Sequence, residues 1–187
     1  FWGCTSLIKA PELPAQKLAD YCYFRMFRRT SIYETPILPA ITLKPNCYEA
    51  MFLECFNLTK TTPLPALNLE RACYAGMFAF CHNLEEAQDI LPAKIVKTSS
   101  YWGMFWNCKK LKKAPELPAT QLDYMCYEMM FAECPNLTEV PELPATIMEA
   151  RCYDHMFHGC VSLTKAPELP ATTLAESCYY QMFRGCS

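Results

Sequence analysis

The stretch LTKAPELPATTLAESCYYQMFRGC, residues Leu163–Cys186, recurs along the chain. It reappears from Leu137 as LTEVPELPATIMEARCYDHMFHGC and from Leu111 as LKKAPELPATQLDYMCYEMMFAEC. A chain that repeats one such unit in tandem folds as a solenoid, because each unit buries its apolar face against the next. The sequence therefore predicts a stack of units, and it indicates a scaffold more strongly than it indicates a ligand.

The repeat length is set by the phenylalanine of a recurring Met-Phe pair or of its equivalent position. Successive members lie 25 to 27 residues apart: Phe1, Phe27, Phe52, Phe78, Phe105, Phe131, Phe157 and Phe183. This spacing gives seven units of about 26 residues, counted from Cys4, with no internal linker. We expect residues 1–187 to form a single repeat domain. Because the sequence starts within a unit, we also expect it to be a fragment of a longer array without capping units.

The composition excludes several classes of protein. The 187 residues are 52% hydrophobic, which is ample material for a core, and the formal net charge is −2. A balanced charge of this kind argues against a nucleic-acid-binding protein and against a polybasic membrane-surface protein. No apolar run approaches the roughly 18 residues that a membrane-spanning helix needs.

Within a unit, the spacing of apolar residues changes at the central proline. In the last unit Leu163, Ala166 and Leu169 occupy every third position before Pro170, which predicts a short strand. Pro167 has no backbone N–H group, so this strand can form few ladder hydrogen bonds.

The second half of the unit has the spacing of a helix. Its apolar residues lie at i, i+4, i+5, i+8 and i+9: Leu174, Cys178, Tyr179, Met182 and Phe183. The segment 173–176 has the Thr-x-x-Glu pattern of a capping box, and Gly185 is suited to a helix end. The sequence therefore predicts a helix of about ten residues in each unit.

The predicted fold class is an α/β solenoid. Neighbouring strands lie about 4.8 Å apart, whereas packed helices need 8–10 Å. Such a stack bends, with short parallel strands on the concave face and short helices on the convex face. We therefore expect a right-handed, curved stack of seven units, similar to leucine-rich repeats.

The motif Cys-x-x-Leu…Leu-Pro…Cys-Tyr-x-x-Met-Phe-x-x-Cys, seen from Cys160 to Cys186, resembles the BspA-like leucine-rich repeats of bacterial surface proteins. The likeness covers the whole chain, although the unit is a few residues longer and Met-Phe replaces the family's Ala-Phe. The resemblance implies an extracellular or cell-surface bacterial protein that serves in adhesion or ligand capture. It implies no catalytic residues.

Thirteen cysteines fall into two columns, which are interrupted by Ser100 and Thr30. The columns are Cys22, Cys47, Cys73, Cys126, Cys152 and Cys178, and Cys4, Cys55, Cys81, Cys108, Cys134, Cys160 and Cys186. Whether the columns are paired within a unit or from one unit to the next, the two interruptions strand two thiols, because Ser100 and Thr30 do not face each other. This pattern favours buried free thiols that pack as small apolar groups. Disulfides and a structural metal remain the alternatives.

The second residue after the first strand leucine alternates in charge from unit to unit. This charge column contains Lys9, Glu34, Lys60, Glu86, Lys113, Glu139 and Lys165. In a parallel stack these side chains are neighbours, and opposite charges on adjacent strands stabilise by a few tenths of a kcal/mol each. The column is either a solvated charge ladder or part of a polar surface that docks a ligand.

Three positions further on, Glu116, Glu142 and Glu168 align with the same charge in successive units. Like charges at this separation repel, so Lys113 and Lys165 screen them, or a cation or basic ligand does. We include this carboxylate column among the candidate ligand-binding residues.

Trp102 and Trp106 are four residues apart, at positions that other units fill with Ala, Glu or Arg. With Phe80 of the preceding unit they could form an exposed aromatic patch that stacks on sugar rings or anchors a partner. The alternative is local filling of space around the extra residue in that unit.

The sequence contains no convincing metal or catalytic site. His155 and His158 lie three residues apart beside Asp154, but no third ligand is fixed by spacing. No cofactor is indicated, and no acid, base and nucleophile occur at suggestive spacing.

The function that the sequence favours is a non-enzymatic cell-surface scaffold for adhesion or binding, with a protein or other macromolecular ligand. One alternative is a glycan-capturing surface module that works beside a transporter or hydrolase through Trp102 and Trp106. The other is a passive structural spacer without a ligand of its own.

Overall fold

The computed structural model describes residues 1–186 and contains no α-helix within them. Its regular secondary structure is three two-residue strands: β1 (Ile95–Val96), β2 (Gln121–Leu122) and β3 (Ile147–Met148). They form one parallel sheet in the order β1-β2-β3. Within the described part of the chain there is accordingly no helix long and apolar enough to cross a membrane. The predicted α/β solenoid is therefore wrong, because its convex layer of helices does not exist.

The strands connect equivalent residues of successive units. Ile95 pairs with Gln121, and Gln121 pairs with Ile147, each 26 positions further along the chain. These strands follow the Leu-Pro-Ala segment, where we predicted the start of a helix. The segment predicted as a strand forms isolated parallel bridges instead, such as Glu34 with Lys60 and Lys113 with Glu139. Its prolines, which lack N–H donors, keep this ladder sparse.

The segment predicted as a helix is a ribbon of overlapping turns. Along it, every second N–H group donates within its own unit, and the N–H groups between them donate to the next unit. In the ribbon of residues 99–108, the N–H groups of Trp102 and Met104 donate to carbonyls three residues earlier, at 3.1 Å. The N–H groups of Tyr101, Gly103 and Phe105 donate to carbonyls of the next unit, at 2.9–3.1 Å. The backbone is therefore satisfied without a helix.

Every fourth ribbon residue has a positive φ. In the ribbon of residues 99–108, Ser99, Gly103 and Asn107 have φ values of 54°, 54° and 57°. Each is the third residue of a hydrogen-bonded turn, a position where a left-handed conformation is typical of type II turns. The N–H group of each of these three residues donates to the next unit, so hydrogen bonding between units offsets the unfavourable backbone conformation.

The four-residue geometry explains why a helix was predicted and does not form. Two side chains point inward and the next two point outward, so Cys126, Tyr127, Met130 and Phe131 are buried. This repeat gives the spacing i, i+4, i+5 and i+8 that we assigned to a helix. An α-helix has 3.6 residues per turn, so a strict four-residue stripe would drift by about 40° at each step.

Loss of the helices also removes the reason for strong curvature. Helices would have spaced the convex side at about 8–10 Å. The rings at equivalent ribbon positions are 5.5–5.8 Å apart, as for Phe105 and Phe131 or Tyr101 and Tyr127. Direct backbone hydrogen bonds connect the units on this side as they do in a sheet. The two sides of a unit therefore have similar spacing.

Two aromatic ladders form the centre of the core. The phenylalanines of the Met-Phe column stack from Phe1 to Phe183, and the five from Phe52 to Phe157 are 0% exposed. A second ladder of stacked tyrosines runs from Tyr23 to Tyr179. Burial of each phenylalanine contributes about 1.5–3 kcal/mol, and ring contacts add to this.

All thirteen cysteines are free, and ten of them are buried. The Sγ atoms of Cys81, Cys108 and Cys134 donate to carbonyls of phenylalanines in the preceding unit, at 3.1–3.2 Å. Thr30 interrupts this column and bonds the Phe27 carbonyl with its hydroxyl at 2.9 Å. The cysteines therefore act as small core residues with one weak donor each, in agreement with the buried-thiol interpretation.

This burial predicts a low count of reactive thiols in the folded protein. Burial raises the pKa of Cys47 and Cys73 to about 12, so the reactive thiolate is scarce at neutral pH. With a thiol-specific chromogenic reagent at pH 7.5, we expect Cys4 and Cys22 to react rapidly and Cys186 to react slowly. All thirteen should react in guanidinium without reductant. Fewer than thirteen reactive thiols in guanidinium would reveal disulfides. More than three reactive thiols in the native protein would contradict the buried cysteine columns.

Candidate ligand-binding surfaces

The charge column lies where the sequence predicted it, on neighbouring strand-side segments. Backbone bridges connect Glu34 with Lys60, Lys60 with Glu86, and Lys113 with Glu139. Lys60 Nζ lies 3.1 Å from Glu34 Oε1 in a solvent-exposed ion pair. Exposed pairs of this kind contribute less than about 1 kcal/mol, so most of the column is available to solvent or ligands.

Two adjoining grooves run across the strand side of the last three units. The first, of about 690 Å³, contains the predicted residues Lys113, Glu116, Glu139 and Glu142. The second, of about 620 Å³, is lined by Glu139, Glu142, Lys165 and Glu168. Because the grooves share residues 139–142, they form one continuous channel. The structure thus brings together six of the predicted site residues.

The remaining residues of the charge column, Lys9, Glu34, Lys60 and Glu86, lie outside the two grooves. Conversely, sequence reasoning missed Lys94, Thr120 and the prolines that line the channel. Lys94 and Thr120 could have been found from the sequence, since both directly follow a Leu-Pro-Ala segment and therefore occupy equivalent positions of two units. We had assigned that position to the start of a helix on the opposite side of the unit.

The predicted aromatic residues also come together, with two additions. Phe80 and Trp106 have ring centroids 4.8 Å apart, and Trp102 meets Trp106 edge to face at 6.4 Å. His82 lies 6.4 Å from Phe80 and 5.3 Å from Phe56. We call these five residues the aromatic patch. Phe56 is 48% exposed and the other four are partly buried, so the two tryptophans are less exposed than we expected.

A network of charged and polar groups lies on the outer side of the last three ribbons. Arg151 donates to Asp154 Oδ2 at 2.8 Å and to Glu128 Oε1 at 3.2 Å. His155 Nδ1 is bonded to Asp154, and its Nε2 lies 2.8 Å from Gln181 Oε1. Only Asp154 and His155 of this network were singled out from the sequence, because each unit contributes a different residue type.

Glu128 is the least satisfied member of this network. It is 5% exposed, and its Oε2 atom has no hydrogen-bond partner. Burial raises the pKa of this carboxyl, against the opposing effects of Arg151 and the Trp102 side chain. Glu128 thus lies between the aromatic patch and the charged network.

Each of the two histidines contacts a carboxylate. His158 Nδ1 lies 3.1 Å from Glu133 Oε1, and His155 contacts Asp154. Across residues 1–186, no group of three or more His, Cys, Asp or Glu side chains is arranged to hold a metal ion.

Comparisons with known proteins add one similarity. No protein-family model matches the chain, and no curated protein matches it. Among solved structures, the chain is similar to a leucine-rich repeat protein from Bacteroides ovatus, with 16% sequence identity and a TM-score of 0.26. The match covers 72% of this chain and 45% of that protein, so the chain spans less than half of its length. The resemblance to BspA-like repeats therefore stays a sequence-based prediction.

Proposed function

We propose that the chain is a non-enzymatic binding scaffold, and that its ligand is an extended polypeptide lying in the channel of the last three units. The observation that carries this proposal is the channel itself, in which six charged residues of three successive units converge on one surface. The resemblance to surface repeats supports a position outside the cell.

The charges of the channel favour a ligand with basic side chains. Four carboxylates and two lysines of the last three units line it, together with Lys94 of the preceding unit. Glu116, Glu142 and Glu168 repeat at the same position of the last three units. All three glutamates are exposed, so a ligand can reach them. Closely spaced like charges are relieved by a cationic partner, and such pairing gives specificity and fast association.

The prolines of the channel determine how a ligand would be held. Pro118, Pro141, Pro144, Pro167 and Pro170 line it and have no N–H group to donate. Addition of a peptide as another strand depends on a continuous row of backbone donors and acceptors. We therefore expect recognition through side chains, with apolar residues of the ligand against the proline rings.

The test is a triple charge reversal, Glu116→Lys, Glu142→Lys and Glu168→Lys. The wild-type chain, probed on an array of short random peptides, should select peptides that contain Lys or Arg. The triple variant should bind the selected peptides roughly 10- to 100-fold more weakly, because attraction becomes repulsion along the channel.

The matched control reverses three exposed glutamates outside the channel: Glu12→Lys, Glu70→Lys and Glu176→Lys. It makes the same change in net charge and should retain peptide binding. Equal loss in both variants would show a non-specific charge effect. A wild-type chain that selects no peptide would also overturn the proposal.

A further inference from the structure

The two tryptophans of the aromatic patch lie beside small residues of the preceding unit. The ribbon of residues 99–108 has Trp102, Gly103 and Trp106 at its outward positions. At the equivalent outward positions the preceding unit has Ala75, Gly76 and Ala79. Ala75 is 7% exposed and Ala79 is 3% exposed, although their positions face outward. The bulky indoles therefore cover the space that these small side chains leave.

This arrangement fixes the patch as a surface rather than a cavity. Phe80 and Trp106 touch at a centroid distance of 4.8 Å, so no ligand atom fits between their rings. Trp102 and Trp106 are partly exposed. A ligand can therefore contact their outward parts alone.

The patch also lacks a charge. Phe56, Phe80, Trp102 and Trp106 are uncharged, and burial, aided by Lys109, lowers the pKa of His82. His82 is therefore neutral at pH 7. Of the ionic groups around the patch, Arg151 is already paired with Glu128 and Asp154, and the exposed Lys109 lies near His82. A charged ligand would find no counter-charge within the patch.

The size of the patch argues against a protein partner. An aromatic side chain has 150–250 Å² of surface, and four of the five rings are partly buried. The patch thus exposes well below the roughly 800 Å² that each partner contributes to a stable protein interface. The exposed area of the patch matches the contact area of one or two rings of a linear ligand.

We propose that the aromatic patch binds a neutral polysaccharide, by stacking of a pyranose ring against Trp102 or Trp106. A pyranose presents an apolar face of C–H groups to an aromatic ring and carries hydroxyl groups at its edge. Arg151 has five N–H donors, and its guanidinium interacts with Asp154, Glu128 and Tyr124. Trp102 and Arg151 both interact with the Glu128 carboxyl, so the remaining N–H donors of Arg151 are near Trp102 and available to hydroxyl groups of the ligand. The site is independent of the peptide channel on the strand side.

The experiment is affinity electrophoresis of the whole chain through gels that contain xylan, mannan, a soluble β-glucan or pullulan. At least one neutral polysaccharide should retard the wild-type chain. Trp102→Ala and Trp106→Ala should each weaken that retardation by about tenfold or more. Trp2→Phe, which changes a tryptophan outside the patch, should leave retardation unchanged.

A second measurement avoids reliance on variants that could lose their fold. In the Trp2→Phe chain, all tryptophan fluorescence comes from Trp102 and Trp106. The bound polysaccharide should protect this fluorescence from acrylamide quenching. A further gel contains polygalacturonate as the charged probe. Retardation by polygalacturonate alone, no retardation by any probe, or retardation without protection would each overturn the proposal.

Discussion

Replacement of Phe105 by alanine is expected to lower the free energy of unfolding by about 3–5 kcal/mol. Phe105 is 0% exposed and is stacked between Phe78 and Phe131, with centroid distances of 5.5 Å on both sides. The substitution leaves a cavity in the middle of a ladder whose neighbours are fixed by backbone hydrogen bonds between units. Urea unfolding, followed by tyrosine and tryptophan fluorescence, measures the loss.

The matched control is Phe1→Ala at the end of the same ladder. Phe1 is 55% exposed and stacks on Phe27 alone, at 5.5 Å. It can lose contacts on one side only, so we expect a change below about 1 kcal/mol. Equal effects at the two positions would mean that the ladder does not form the core.

The ladder should also determine how the chain unfolds. The stacked rings join residues 25–27 positions apart, so each unit packs against its neighbours in the stack. In such arrays stability is the sum of unit and interface terms. A cavity at Phe105 therefore weakens both interfaces of its unit, whereas a cavity at the end of the ladder weakens one.

The repeat register and the inward-facing residues were predictable from the sequence. Met104, Phe105 and Cys108 are buried at the positions that recurrence marked as core. Leu169 and Leu174 were expected in the core but are 39% and 59% exposed, whereas Leu143, which is equivalent to Leu169 in the preceding unit, is 3% exposed. Recurrence identifies which positions of a unit face inward, whereas the burial of their side chains also depends on packing against adjacent units.

The conformation of the ribbon was predicted wrongly because short apolar patterns do not separate periods of 3.6 and 4. The sequence did contain a further signal. All five glycines of the chain, Gly3, Gly76, Gly103, Gly159 and Gly185, lie at positions with positive φ. They lie at turn positions, whereas we had interpreted Gly185 as a helix end.

The candidate surfaces were predictable where one residue type repeats. Glu116, Glu142 and Glu168 align by the repeat alone, and they line the channel. Glu128, Arg151 and Gln181 come from three units, and no spacing rule connects them before the register of the ribbon is known. These residues meet only because neighbouring ribbons are aligned in the stack, and the sequence of one unit does not show that alignment.

Gly76 provides the sharpest test of the ribbon, because a turn and a helix predict opposite signs for Gly76→Ala. In a helix, alanine would stabilise by about 1 kcal/mol. In the ribbon Gly76 has a φ of +58°, and a Cβ placed there meets no atom within 4 Å. The methyl group therefore causes no clash, and the left-handed backbone decides the outcome. After allowance for the lower entropy of the unfolded alanine chain, we expect destabilisation by about 1 kcal/mol.

The reverse substitution, Ser99→Gly, completes the test at another positive-φ turn position, four residues before Gly103 in the next unit. Ser99 has a φ of 54°, which serine adopts at a cost and glycine adopts freely. In a helix this change would destabilise, whereas in the ribbon we expect it to be neutral or stabilising by up to about 0.5 kcal/mol. Urea unfolding of both variants gives the two signs. Stabilisation by Gly76→Ala together with destabilisation by Ser99→Gly would show that the segment is helical. The outward side chains would then not form the surfaces proposed here. The opposite pair of signs requires the four-residue repeat, and with it the outward positions of Trp102 and Trp106.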